Sequence, residues 1–167
     1  MKYIGLILIF LCSIYSGQTF KRRIIKRIES FERIITMIDL IQMQINYLSS
    51  DIDELINTLL KESEFKGSSF ISGLKRNLCS GLPLDESWQK AAEESFDYLS
   101  SEEKSVIISF GNHIGKSDIE GQRKNCAIHK EKINRLLENE RKKYEKKGNL
   151  YSRLSIIIGI MIDLILL

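Results

Sequence analysis

Residues 3–27 read YIGLILIFLCSIYSGQTFKRRIIKR, an uncharged run that ends in a cluster of cations, and this junction decides the architecture. Tyr3 to Phe20 holds 18 residues without a charge. As a helix rising about 1.5 Å per residue it would cover roughly 27 Å, close to the thickness of a bilayer core. Lys21, Arg22, Arg23, Lys26 and Arg27 follow with no acid among them. A cleaved signal peptide carries its heavier positive charge on the other flank, where only Lys2 stands. Ile9, Phe10 and Leu11 are also too bulky for lipoprotein-type cleavage before Cys12. The reading is an uncleaved anchor over residues 1–20.

The other end mirrors it. Leu154–Leu167, LSIIIGIMIDLILL, is apolar except for Asp163. Its 14 residues reach roughly 21 Å as a helix, so a full span over 150–167 needs Leu150, Tyr151 and the Arg153 stem as well. Asp163 is placed to meet the far headgroups or a polar group of another membrane subunit. Arg141, Lys142, Lys143, Lys146, Lys147 and Arg153 precede this segment against Glu145 alone. Both basic strips lie on the side of the central residues, and the positive-inside rule places the domain 21–149 in the cytoplasm. Between the strips, residues 28–140 hold 13 basic and 20 acidic residues, an acidic body inside a chain of formal charge +3. Strips abutting apolar segments point to anionic lipid headgroups through 21–27 and 141–153, not to nucleic acid.

The body reads as helix throughout, with one proline, Pro83, in 167 residues. Ile24, Ile28, Phe31, Ile35, Ile38, Ile41, Ile45 and Leu48 keep helical spacing, so the first helix runs on from the anchor to Ser49-Ser50. Ser50 is the expected cap of a second helix carrying Leu55, Ile56, Leu59 and Leu60. Gly67-Ser68-Ser69 separates a third, with Phe70, Ile71, Leu74 and Leu78, and Gly81-Leu82-Pro83 turns into a fourth bearing Leu84, Trp88, Ala91 and Ala92. Ser100-x-x-Glu103 is a capping box for a fifth, with Gly115 as its natural end. Ser117-x-x-Glu120 repeats the capping signal for a long last helix whose buried stripe is Ile119, Cys126, Ile133, Leu136, Leu137 and Tyr144. The fold expected is all-α: a membrane-anchored antiparallel bundle of about six helices, the long first and last forming a stalk.

Catalytic signatures are missing: there is no G-x-x-x-x-G-K-[ST], no G-x-G-x-x-G and no H-E-x-x-H. Glu93-Glu94 and Glu102-Glu103 are adjacent in sequence and diverge on a helix. Cys12, Cys79 and Cys126 are far apart and read as reduced, packed thiols. With two histidines and no clustered ligands, no metal or cofactor is expected. His129 lacks the proline of a phosphoacceptor motif and reads as a half-exposed helix residue; His113 suits a helix end. The chain is read as a non-enzyme.

Phe110-Gly111-Asn112-His113-Ile114-Gly115-Lys116-Ser117-Asp118, then Gln122, is more specific than composition. With Gly81-Leu82-Pro83-Leu84-Asp85-Glu86-Ser87-Trp88 and Met43-Gln44-Ile45-Asn46-Tyr47, in this order and spacing, the chain resembles the stage III sporulation protein AB family along nearly its full length. Two positions depart from the family pattern: Gln replaces Glu in Glu-x-Ile-x-Tyr, and Asp51-Ile52 replaces a Pro-Leu. The resemblance implies a subunit of the complex that endospore formers build between mother cell and forespore. Its helical domain is similar to the cytoplasmic domains of type II secretion and type IV pilus inner-membrane platform proteins, which meet a hexameric ATPase. It thus implies a scaffold in the mother-cell membrane around the forespore, with a cytoplasmic ATPase (stage III sporulation protein AA-like) and other membrane subunits as partners. That step is an inference from fold.

Two readings of the motif stand side by side. Gly81, Trp88, Phe110, Gly111, Gly115 and Ser117 serve structure, with Ser117, Asp118 and Gln122 starting the next helix, or the elbow presents Lys116, Asp118 and Gln122 to the ATPase, with Asp163 contacting a membrane partner. A two-span sensor or adaptor with a signal-binding bundle is the alternative function, and it would need the body outside the cell. An enzymatic or lipid-active protein would need convergent polar groups.

Overall fold

A computed structural model describes residues 2–47 and 52–148, with Ile157 and Met161 beyond them. Among the described residues every regular element is helical: α1 Lys2–Tyr47, α2 Ile52–Lys61, α3 Ser69–Cys79, α4 Leu84–Ser95, α5 Ser101–Gly111 and α6 Ile119–Lys143. A 3₁₀ turn, Ser63–Phe65, follows α2, and a wide π turn, Tyr144–Gly148, follows α6. The chain divides into two compact units, Met1–Ser30 with Leu137–Leu167, and Phe31–Leu136; α1 and α6 contribute to both. Among the described residues no helix is long and apolar enough to cross a membrane. Both apolar ends, 3–20 and 154–167, lie largely outside the residues whose side chains are described, and Ser50 and Asp163 lie outside the described residues altogether.

In the first unit Ile24 and Leu137 are buried beside a charged cluster. Glu140 is 2% exposed; Arg27 Nε lies 3.1 Å and Lys143 Nζ 2.6 Å from its carboxylate. Burial alone would raise its pKa, but hydrogen bonds from Arg27 and Lys143 outweigh it and hold the carboxyl below its ordinary value. Lys21 Nζ stands 5.7 Å from the Tyr144 ring centroid.

In the second unit three short connections have legible causes. Ser68 caps α3 by accepting from the Ile71 amide. Gly81 takes φ +87° between α3 and α4, a conformation that costs a side chain dearly. At α5 both bonds of the capping box are made: Ser100 N–H donates to Glu103 Oε2 at 2.8 Å and Glu103 N–H to Ser100 Oγ at 3.3 Å. α3 and α4 pack through Gly73 and Ala91, and buried Asn77 donates from Nδ2 to the Ser87 carbonyl at 3.3 Å.

Several expectations need correction. The α1 stripe in this unit is Phe31, Ile34, Met37, Ile38 and Ile41, while Ile35 and Ile45 are half-buried. The buried face is therefore rotated towards Ile34 and Met37, which are 4% and 2% exposed. On α6 the stripe begins at Gln122 and continues through Cys126, His129 and Ile133; Ile119, at the first helical position, is 58% exposed. His129 is 5% exposed, not half-exposed, because it occupies a seat of that stripe despite its charged neighbours in sequence. Of the three thiols only Cys126 is packed; Cys12 and Cys79 are exposed.

Candidate functional site

The two motifs that are most specific in the sequence meet in space. Trp88, 2% exposed, donates its Nε1–H to the Ile107 carbonyl at 2.9 Å, which fixes the ring across α5. Phe70 and Phe110 meet it in edge contacts, with ring centroids 5.0 and 5.7 Å away. A Cβ on Gly111 would fall 2.2 Å from the indole Cγ, so only glycine lets α5 approach this ring. Outside the ring contact, Lys116 Nζ lies 2.9 Å from Asp85 Oδ2, joining the same two segments at the surface. That ammonium holds the Asp85 carboxyl below its usual range.

After Gly111 the chain turns through 112–115, the amides of His113 and Ile114 donating to the carbonyls of Phe110 and Gly111. Gly115 then adopts φ +76°, four residues past the end of α5, and releases the chain into the elbow. The cap of α6 is Asp118 and not Ser117: its Oδ1 accepts from the Gly121 amide at 2.9 Å. Asp opens the helix here because its carboxylate reaches the third helical amide and also suits the positive end of the helix dipole. Gln122 is buried and donates from Nε2 to the Ser117 carbonyl at 3.4 Å. Lys116, Ser117 and Asp118 are exposed.

Behind the elbow α5 and α6 share a polar layer. His129 has Nδ1 3.0 Å from the Asn125 carbonyl and Nε2 3.3 Å from Ser109 Oγ, with its ring centroid 5.6 Å from Phe110 and 6.2 Å from His113. Burial, helped by Lys132 and His113, pushes its pKa down against the Asn125 carbonyl. Lys130 bridges to Asp39 with both carboxylate oxygens in reach, at 2.6 and 2.8 Å. Among the described residues no group of three or more His, Cys, Asp or Glu is placed to hold a metal ion.

Asp85 and Ser109 are the members of this site that sequence reasoning passes over. Asp85 stands inside a quoted motif, four residues after the turn glycine and three before Trp88, yet nothing local names Lys116 as its partner. Comparison with curated proteins and with solved structures returned no match. The family model of stage III sporulation protein AB matches residues 2–167, so the chain belongs to the stage III sporulation protein AB family.

Proposed function

We propose that this member of a stage III sporulation family is a non-enzymatic, membrane-anchored scaffold in the mother-cell membrane around the forespore. It docks a cytoplasmic ATPase, similar to stage III sporulation protein AA, to membrane-embedded subunits of a secretion-like channel. The observation that carries this reading is how the elbow uses its polar groups. Asp118 caps α6, Gln122 folds back on Ser117, and the Trp88 N–H serves the Ile107 carbonyl. These groups hold a shape and do not converge on a substrate. Lys116 of the elbow, paired with Asp85 of α4 at the surface, is then the part offered to the ATPase.

The uncharged run 3–20 supports a membrane anchor, and the basic flanks support a cytoplasmic body. An antiparallel arrangement of α1 with α6 is supported by Lys21 meeting Tyr144 while Arg27 meets Glu140, numbers rising on one helix as they fall on the other.

Co-purification of the ATPase with the full chain from sporulating cells tests the reading. Lys116→Glu is expected to lower recovery several-fold, and Lys116→Glu with Asp85→Lys to restore part of it. Unchanged recovery in both rejects the elbow as the docking surface. Labelling of an introduced Glu93→Cys from outside intact cells rejects the cytoplasmic body.

A further inference from the structure

The basic residues that flank the apolar ends do not form one uniform strip. Three serve the fold of the first unit: Arg27 and Lys143 close on buried Glu140, and Lys21 lies against the Tyr144 ring. Arg22, Arg23, Lys142 and Lys146 instead remain exposed. Lys142 has Glu138 at 3.7 Å, but with side chains 65% and 71% exposed such a pair is weak in water and leaves the ammonium open to a better partner.

These four cations share a level. The Lys21–Tyr144 contact, with Arg27–Glu140 beyond it, brings positions 21 and 144 to about one level. At about 1.5 Å per residue, Arg22, Arg23, Lys142 and Lys146 then lie within about 3 Å of that level along their helices. On α1 the level falls immediately after Phe20, where the uncharged run stops. Exposed cations at the end of the α1 apolar run match the phosphate plane of a bilayer, and the arginine forks suit phosphate oxygens; Lys142 and Lys146, eight and four residues before the 150–167 segment, reach towards that plane on long stems.

We propose that Arg22, Arg23, Lys142 and Lys146 bind the phosphates of anionic phospholipid headgroups, while Arg27, Lys143 and Lys21 belong to the fold. The layer rests on the anchor reading above. It selects phosphatidylglycerol over phosphatidylcholine by charge, and its hold weakens with salt.

The test uses the full chain purified in neutral detergent and titrated with fluorescent phosphatidylglycerol or phosphatidylcholine. The wild-type chain should prefer phosphatidylglycerol. Changing all four to Gln (R22Q, R23Q, K142Q, K146Q) should cut that preference by at least about tenfold, given roughly 1 kcal/mol per surface cation. Arg22→Lys with Arg23→Lys should keep most of it, which separates lost charge from lost folding. A control of equal charge change on exposed lysines of the second unit (K66Q, K75Q, K90Q, K124Q) should leave it intact. Equal loss in the control, or no lipid preference in the wild type, overturns the proposal while leaving the anchor in place. A chain that stays monodisperse without detergent overturns the anchor itself.

Discussion

Gly111 and the indole of Trp88 touch with no space for a methyl group between them, a Cβ at Gly111 lying 2.2 Å from Cγ and 2.3 Å from Cδ1. The ring has nowhere to retreat, since its N–H is bonded to Ile107 and its edges meet Phe70 and Phe110. Gly111→Ala must therefore push a buried ring or separate α4 from α5, and should cost about 2–4 kcal/mol. Trp88→Leu costs a similar amount through the cavity it leaves. Together the two changes should cost at least about 1 kcal/mol less than their sum, because the added methyl enters vacated space. Denaturant unfolding of the four chains measures this coupling, and strict additivity would contradict the contact.

Asp118 and Ser117 separate a cap from a neighbour. Asp118→Ala should lower stability by about 1 kcal/mol, Asp118→Asn by much less, and Ser117→Ala by a few tenths at most. The order matters for function too. If Asp118→Asn keeps the ATPase in co-purification and Asp118→Ala loses it only in proportion to folded protein, Asp118 acts as a cap and not as a contact.

The reach of sequence reasoning follows from what is local. Ser100 and Glu103 are three residues apart and describe one helix start, so their capping box was readable, as were the turn at Gly81 and the helical course of α1. Ser117 carried the same kind of pattern, yet Asp118 won because a carboxylate one residue later reaches the Gly121 amide. His129 misled for the opposite reason. Lys130, Glu131 and Lys132 follow it in sequence, whereas its seat seven residues after Gln122 and four before Ile133 turns it inward. The Gly111–Trp88 and Asp85–Lys116 contacts join segments whose approach depends on how α4 packs on α5, and no spacing within either motif encodes that.

His129 gives the fold a pH dependence. Its pKa is lower in the folded chain than the ordinary 6.5, so below that value the unfolded chain binds the extra proton first. Stability from this residue is complete above about pH 6.5 and falls as the pH drops towards the depressed folded value. His129→Gln should flatten the stability profile between about pH 7 and the folded pKa, read by urea unfolding at each pH. A slope unchanged by the substitution would place the titration elsewhere.

The thiols should separate by reactivity. Burial, with Asp39 nearby, pushes Cys126 up to about 11, so it is neither accessible nor ionised near neutral pH. Cys79 is exposed at the end of α3. In a Cys12→Ser chain, a maleimide or disulfide reagent should modify Cys79 quickly and Cys126 only at the rate of unfolding. Mass spectrometry of the modified peptides checks the assignment, and fast loss of both thiols would show that the α6 stripe opens in the native state.

Arg27 and Glu140 test the first unit. The Glu140 side chain is 3% exposed against 18% for Arg27, so the carboxylate bears the heavier desolvation and depends on its cations. Arg27→Met leaves Lys143 as partner and should cost about 2–3 kcal/mol, because a buried carboxylate loses its main hydrogen-bond donor. Arg27→Met with Glu140→Leu removes both the charge and its need, and should recover most of that loss. Acid unfolding adds a second readout. The depressed folded pKa of Glu140 means that its contribution is present above the unfolded value of about 4.5 and is lost as the pH falls through the folded one. Without Arg27, burial raises that pKa, and the acid transition of the single variant should move to higher pH. The Glu140→Leu background has no such carboxyl and should show no shift. If Arg27→Met moves the acid transition equally in both backgrounds, the charge on Glu140 is not what Arg27 holds.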